Sequence, residues 1–353
     1  MPDPIGIGVI GAGGIFRSLH VPYLRETPLA QVVAVMDVNE EAAAEAGRQF
    51  DAAVCGSCEE LLAREDVDAV DICTHPRPHR DITVAAARAG KHVLLEKPMC
   101  CTVAEADEMI AAASEASVQL QVAYMMRFHP SMMKVKELLD SGTLGDVHLV
   151  HSSQIAWFAP RHPWLFVQEE SGGMLVEQAI HTLDLWLWLY GDVERVYART
   201  STVDLGGTYP AVSEAVENNA TLIAGFASGA TGMLIKSWAA EVGYRADGVV
   251  GSKGSAEYSQ AEARWKTHEM DEPEVFTPAV PDDGTYRSVP DDQRANRYWS
   301  MASKGRGIEH WLRCIRGEET PETSGEIGRA GIAIAEAAYR SAAAGQPVSV
   351  EGD

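Results

Sequence analysis

Positive charge is scarce in this sequence: 29 Lys and Arg stand against 51 Asp and Glu, a formal net charge of −22 over 353 residues. No cluster of Lys or Arg forms a basic stripe, which argues against a nucleic-acid partner or an anionic membrane surface. No apolar run approaches the ~20 residues of a membrane span. The chain also enters a strand pattern by Ile5 without a basic leader. Cysteine is sparse too. The six, at 55, 58, 73, 100, 101 and 314, make no disulfide framework, and Cys55-Gly56-Ser57-Cys58 has no second pair or His cluster at zinc-site spacing. These absences predict a soluble cytoplasmic protein whose thiols are reduced and chemically idle. No internal repeat is present.

What is present is enough apolar sequence, 46 % of the chain, for two domains. Residues 1–123 alternate β-branched runs with helical patterns. Strands are expected at Gly6–Ile10, Val32–Met36, Ala69–Cys73, His92–Leu95 and Gln119–Ala123, among six in all, with helices between them. Ser57-Cys58-Glu59-Glu60 and Thr102-Val103-Ala104-Glu105 both have capping-box spacing. This is the pattern of an α/β doubly wound parallel sheet, whose ligands sit beyond the carboxyl ends of the strands. Residues 124–353 read differently. Strand-like stretches at 146–156, 193–203, 213–226, 229–238 and 244–258 predict an α+β domain with a large, mostly antiparallel sheet. A helix over about 174–190 interrupts it, Met270–Ser300 reads as a long surface loop, and helices are expected at Gly307–Arg316 and Gly325–Ala344.

The first predicted strand runs into Gly11-Ala12-Gly13-Gly14-Ile15-Phe16. Glycines let the backbone turn tightly and approach a pyrophosphate, and the following helix offers unpaired N–H groups and the positive end of its dipole. A Gly-x-Gly match alone is weak, and Asp37, at the end of the second strand, strengthens it. Its carboxylate can accept from an adenosine ribose diol, and it would repel a 2′-phosphate. Val38-Asn39-Glu40-Glu41 supplies no cation to offset that repulsion, so NAD is favoured over NADP. A capping role for Asp37 on the next helix is the alternative.

Two further stretches carry chemistry. Lys97, in Glu96-Lys97-Pro98, follows a strand directly, where an ammonium could polarise a substrate oxygen or simply be solvated. In Gly172-Gly173-Met174-Leu175-Val176-Glu177-Gln178-Ala179-Ile180-His181-Thr182-Leu183-Asp184, Glu177 and His181 stand at i and i+4 on an otherwise apolar helix. That suggests an acid/base pair; a salt-bridged surface and a two-ligand start to a metal site are the alternatives. No third ligand is identifiable nearby, so no metal is expected.

Taken in order, the Gly11–Ile15 loop, Cys73-Thr74-His75-Pro76 with His79, Ala89 to Pro98 and the Gly172–Asp184 segment resemble the Gfo/Idh/MocA family of NAD(P)-dependent oxidoreductases. The resemblance spans both domains. It implies hydride transfer on sugars, polyols or their derivatives, and a C-terminal sheet used for homodimer or homotetramer contacts. It implies that Gly11, Gly13, Gly14, Ile15, Asp37, Thr74, His75, His79, Glu96 and Lys97 hold the cofactor. It places Lys97 and His181 beside the nicotinamide, with Glu177 orienting the substrate or His181, and allows a cis Lys97–Pro98 peptide. Two departures stand out. Phe16 occupies the third glycine position of the fingerprint, and Glu177 stands where such dehydrogenases usually carry Asp.

Arg127 begins the second domain and could face the substrate or make a structural ion pair. Trp157, Arg161 and Trp164 combine aromatic faces with a cation suited to sugar rings, or form an interface loop. His20, on the first helix, reads as packing. Relatives that cleave glycosides through transient oxidation, and a non-catalytic NAD-binding regulator, are the competing functions.

Overall fold

The computed structural model describes residues 3–158, 162–204, 216–280 and 291–352. They fall into two compact units, one made of Met1–Met125 and Ser300–Arg329, the other of Met126–Trp299 and Ala330–Asp353.

The first unit is built on six parallel strands: β1 (Ile5–Ile10), β2 (Ala30–Met36), β3 (Ala53–Val54), β4 (Ala69–Ile72), β5 (His92–Leu95) and β6 (Leu120–Val122). Their spatial order is β3-β2-β1-β4-β5-β6, the doubly wound arrangement. β1 and β4 are buried at every position, as strands covered by helices on both faces must be; β1 reads as a continuous apolar run, and β4 is apolar except for the buried acid Asp71. β3 is two residues long and leaves no periodic signal. The Thr102 box closes as expected, its hydroxyl accepting from Glu105 N and the Glu105 carboxylate from Thr102 N. At Ser57 the return bond lands one residue early, from Gly56 N to Glu60.

Two expectations are corrected by the return of the chain. The boundary 1–123/124–353 assigns residues 300–329 to the second domain, whereas they pack in the first unit. The reason is apolar: Ile308, Trp311 and Leu312 lie in one core cluster with Val9, Phe16, Val32 and Val35. The loop expected at Met270–Ser300 contains a short strand at Glu274–Phe276 and the beginning of a helix, Asp291–Ile315. Pro290 precedes that helix, and nothing within it breaks it; its segment 281–290 lies outside the described residues.

Among the described residues the second unit carries nine strands: β7 (Val147–Trp157), β8 (Val193–Ser201), β9 (Asn219–Phe226), β10 (Thr231–Ser237), β11 (Ala239–Gly251), β12 (Gly254–Tyr258), β13 (Ala263–Thr267), β14 (Glu274–Phe276) and β15 (Val348–Ser349). The order is β14-β13-β12-β11-β7-β10-β9-β8-β15, and among the described residues only β7 and β10 pair in parallel. The stretch read as one strand over 244–258 is a hairpin, β11 and β12, and the expected start of β9 at 213–215 lies outside the described residues. Alternation along β9 and β10 buries Leu222, Ala224 and Leu234 on one face and leaves Ile223 and Met233 exposed on the other. Trp186 on the helix Ile180–Tyr190 packs on Phe226 from the buried side.

Candidate active site

The carboxyl ends of β1, β2, β4 and β5 assemble the first half of the predicted site within one unit. Gly11 has φ +95°, and a Cβ there would meet Cys73 O at 2.9 Å, so the turn needs glycine twice over. Above Gly13 and Gly14 a Cβ would touch nothing within 4 Å, which leaves an open floor beside a helix start, and Ile15 is 49 % exposed at its edge. Asp37 Oδ2 accepts from Ala12 N at 2.6 Å and Oδ1 from Asn39 N at 2.7 Å, so the carboxylate braces the glycine loop. The cap of the following helix is Asn39, whose side chain accepts from Glu41 N and Ala42 N; Asp37 is left to the loop. Each Asp37 oxygen retains a lone pair for a ribose hydroxyl.

Phe16 does not damage this loop. It is fully buried, 6.1 Å from the ring of Phe50, because residues Phe16–His20 form a π-turn that widens the helix at that point. The same turn points His20 inward. This residue is buried as expected of packing, but it is no inert filler. Its Nδ1 lies 2.7 Å from Asp71 Oδ2 and its Nε2 2.8 Å from Glu96 Oε1. Lys304 Nζ, from the returning helix, bonds the same Glu96 oxygen. Burial opposes the His20 charge, but the Asp71 carboxylate and bonds to both acids outweigh it and raise its pKa to about 8. Burial likewise opposes the Glu96 charge, yet Lys304 and His20 hold that carboxyl far below its usual range.

Glu96 Oε2 also accepts from Lys97 N at 3.2 Å, so this cluster anchors the turn that carries Lys97, which is half-buried and precedes a cis proline peptide. His79 supports the other side, its Nδ1 3.0 Å from Pro98 O and its Nε2 3.2 Å from Thr74 O. Burial lowers its pKa to about 4, so the ring is neutral and its single N–H can donate to only one of these two carbonyls at a time. Thr74 and His75 are half-buried at the end of β4. His20, Asp71 and Cys73 bring possible ligand atoms within 4.8 Å of one another. The adjoining Lys304 ammonium and the doubly engaged imidazole make this a balanced ion cluster, a poor donor set for a cation.

In the second unit, Glu177 and His181 are both half-buried on the expected helix, which opens with a π-turn, Leu175–Ala179. The entry is held by Glu217, whose Oε1 accepts from Leu175 N at 3.0 Å and from the Tyr339 hydroxyl at 2.6 Å. Gly173, φ +87°, lies against that pair, and a Cβ there would collide with the Tyr339 oxygen. Gln178, beside Glu177, accepts from Trp238 Nε1 at 2.6 Å, and Trp238 stacks 5.0 Å from Phe158. Trp157 is 39 % exposed and Trp164 half-buried; Arg161 lies outside the described residues.

Of the two roles open to Arg127, the ion pair is the one formed. Its Nε and Nη2 both reach Asp184 Oδ1, at 2.9 and 2.6 Å, with the guanidinium 4 % exposed and 5.9 Å from the Trp188 ring. Burial dominates at Asp184 and pushes its carboxyl up to about 6 despite Arg127. Sequence reasoning missed His20 as a charge, and with it Asp71, Lys304, Glu217 and Tyr339. The one available signal was a polar residue, His20, one turn past a glycine loop; the others are joined only by the fold.

A doubly wound parallel sheet with an open glycine floor, a braced strand-end acid and an anchored lysine, followed by an α+β unit, defines an NAD-binding oxidoreductase. Residues 5–124 match the oxidoreductase family with an NAD-binding Rossmann fold named GFO/IDH/MocA, and residues 132–257 match the GFO/IDH/MocA C-terminal domain. The uncharacterized oxidoreductase YrbE of Bacillus subtilis is 30 % identical over 99 % of this chain and 98 % of its own. D-apiose dehydrogenase of Paraburkholderia graminis is 29 % identical over 98 % of this chain and 89 % of its own. The crystal structure of the WlbA dehydrogenase from Bordetella pertussis, in complex with NADH and UDP-GlcNAcA, superposes with a TM-score of 0.83 at 25 % identity, over 99 % of this chain and 98 % of that one. The chain belongs to the Gfo/Idh/MocA oxidoreductase family and is a dehydrogenase or reductase.

Proposed function

We propose that this chain is an NAD-dependent dehydrogenase or reductase of a sugar, polyol or sugar-derivative alcohol. The observation that carries the reading is the anchored Lys97 at the end of β5, on the same strand-end edge as the Gly11–Asp37 loop. D-apiose dehydrogenase and the UDP-GlcNAcA complex of WlbA support the substrate class. Asp37 supports NAD over NADP: the carboxylate disfavours a 2′-phosphate, and Val38, 93 % exposed beside it, brings no cation.

Gly11, Gly13, Gly14 and Ile15 would receive the pyrophosphate, Asp37 the ribose, and Thr74, His75, Glu96 and Lys97 the remainder, with His79 packed between the Thr74 and Pro98 carbonyls. When bound, the nicotinamide accepts or returns a hydride. His181 takes the proton from the carbinol oxygen as that carbon is oxidised, and returns it in reduction. Lys97 stabilises the negative charge that develops on the same oxygen. Glu177 orients the substrate hydroxyls, with Trp157, Arg161 and Trp164 as further contacts. Arg127 acts through Asp184, as support for their helix. The six free thiols support a reducing, cytoplasmic compartment, and among the described residues no helix is long and apolar enough to cross a membrane. The exposed sheet face, with Leu149, Ile223, Met233 and Val250, supports a homodimer or homotetramer.

A panel of inositols, aldoses, sugar acids and glycosides, read by NADH absorbance with NAD and NADP in parallel, tests the reading. On the substrate it finds, Lys97→Ala should lose about 10²–10⁴-fold in kcat. Unchanged turnover sinks the role of Lys97, preference for NADP sinks that of Asp37, and free sugar released from a glycoside without net NADH redirects the assignment to glycoside cleavage.

A further inference from the structure

We propose that His20, the imidazole bridging Asp71 and Glu96, is a positioning residue that fixes the Glu96-Lys97-Pro98 turn for cofactor binding and catalysis. The proposal rests on the reading of Lys97 and its turn given above. Both ring nitrogens of His20 face carboxylate oxygens, at 2.7 and 2.8 Å, and carboxylates only accept. A neutral imidazole has a single N–H and can serve only one of them. The observed bridge therefore needs the second proton. Its side chain is fully buried, so water cannot replace either bond.

The geometry gives this bridge leverage. His20 leaves the helix that follows the glycine loop, through the π-turn at Phe16–His20. It reaches Asp71 on β4 and Glu96 after β5, and Glu96 in turn holds Lys97 N. One ring thus ties the helix of the phosphate floor to the backbone of the catalytic lysine. The charged and titratable groups facing it are Asp71 from β4, Cys73 with Sγ 3.7 Å from Nδ1, Glu96 from the β5 turn and Lys304 from the helix Asp291–Ile315. Burial, joined by the Asp71 charge, raises the Cys73 thiol well above its ordinary value, so it stays neutral. With His20 charged, two carboxylates meet two cations. Without its proton, two buried carboxylates share one ammonium, and the Glu96 anchor loses a bond. That proton leaves near pH 8, so the turn is held firmly below this pH and loosens above it.

Linkage makes the idea testable on the unaltered protein. If charged His20 favours the cofactor-ready turn, bound NAD must raise the His20 pKa by the same factor that protonation raises NAD affinity. The full chain is titrated from pH 6 to 9.5 by NMR of the His20 ring, free and with saturating NAD, alongside NAD dissociation constants, kcat and KM for wild type and His20→Gln. The expected result is an upward shift of the His20 titration with NAD, and a wild-type affinity that falls about tenfold as pH rises through 8. His20→Gln should bind more weakly with no step at 8, and should lose kcat by more than KM changes. An identical His20 titration with and without NAD overturns the proposal even if the variant fails to fold, as does a step at 8 that persists in His20→Gln. Absence of NAD binding by wild type at every pH overturns the proposed function itself, and this inference with it.

Discussion

Each unit buries an acid close in sequence to residues predicted to act, Glu96 beside Lys97 and Asp184 three residues past His181, and the two acids are treated in opposite ways. Glu96 meets His20 and Lys304 on one oxygen and Lys97 N on the other, and its carboxyl is held far below the ordinary range. Asp184 meets one cation, Arg127, on a single oxygen, while its buried Oδ2 finds no hydrogen-bond partner among the described residues. Its carboxyl rises to about 6. The two are buried alike, so desolvation is comparable, and the count of partners decides which way the carboxyl moves. Two cations and an N–H outweigh burial; one guanidinium does not. The first acid is a fixed anchor, the second a group that titrates near neutrality.

The largest expected effect breaks the anchor. Glu96→Ala leaves the buried Lys304 without a carboxylate and His20 with Asp71 alone, and urea unfolding at pH 7 should show about 3–5 kcal/mol lost. A loss below 1 kcal/mol would mean the cluster relaxes freely and anchors nothing. Next comes Asp184. Its folded pKa, about 6, lies above the ordinary 3.8, so its contribution is complete below pH 3.8 and lost as pH rises through 6. That amounts to about 3 kcal/mol. The stability of wild type relative to Asp184→Asn, followed by denaturant melts, should therefore fall by this amount across that window. A flat difference would show that Arg127 keeps Asp184 ionised throughout. The smallest effect is at His20, whose pKa is raised from 6.5 to about 8. Its stabilisation, about 2 kcal/mol, is complete below pH 6.5 and disappears as pH passes 8. Wild type should lose this increment relative to His20→Gln between those values, and an unchanged difference would remove the charge from the bridge.

How much of this was legible depends on how local the cause is. β1, β4 and β5 were readable because strands buried on both faces are mostly apolar, with Asp71 and His92 the polar exceptions, and Thr102 because a cap is written within four residues. The glycine loop and Asp37 were readable as a pattern, though the bond from Ala12 N that makes Asp37 a brace was not. His20 was read as packing and is buried, but burial alone says nothing of Asp71, Glu96 and Lys304, which converge on it from three separate segments. Arg127 remained ambiguous for a similar reason: Asp184 is its partner only once the helix Ile180–Tyr190 is placed. The helix from Asp291 was obscured by Pro, Asp and Gly around its start, a composition that usually marks a loop.

The return of residues 300–329 to the first unit also sets an order in time. Chains are made at about 5–20 residues per second, so the six parallel strands leave the ribosome on the order of ten to thirty seconds before Lys304 does. Throughout that interval Glu96 has His20 but no lysine, and the core around Val9 and Val32 lacks Trp311 and Leu312. The newborn dinucleotide domain is an open vessel that waits for its own late-made helix to seal it. A fragment ending at residue 123 would stay in that unsealed state permanently.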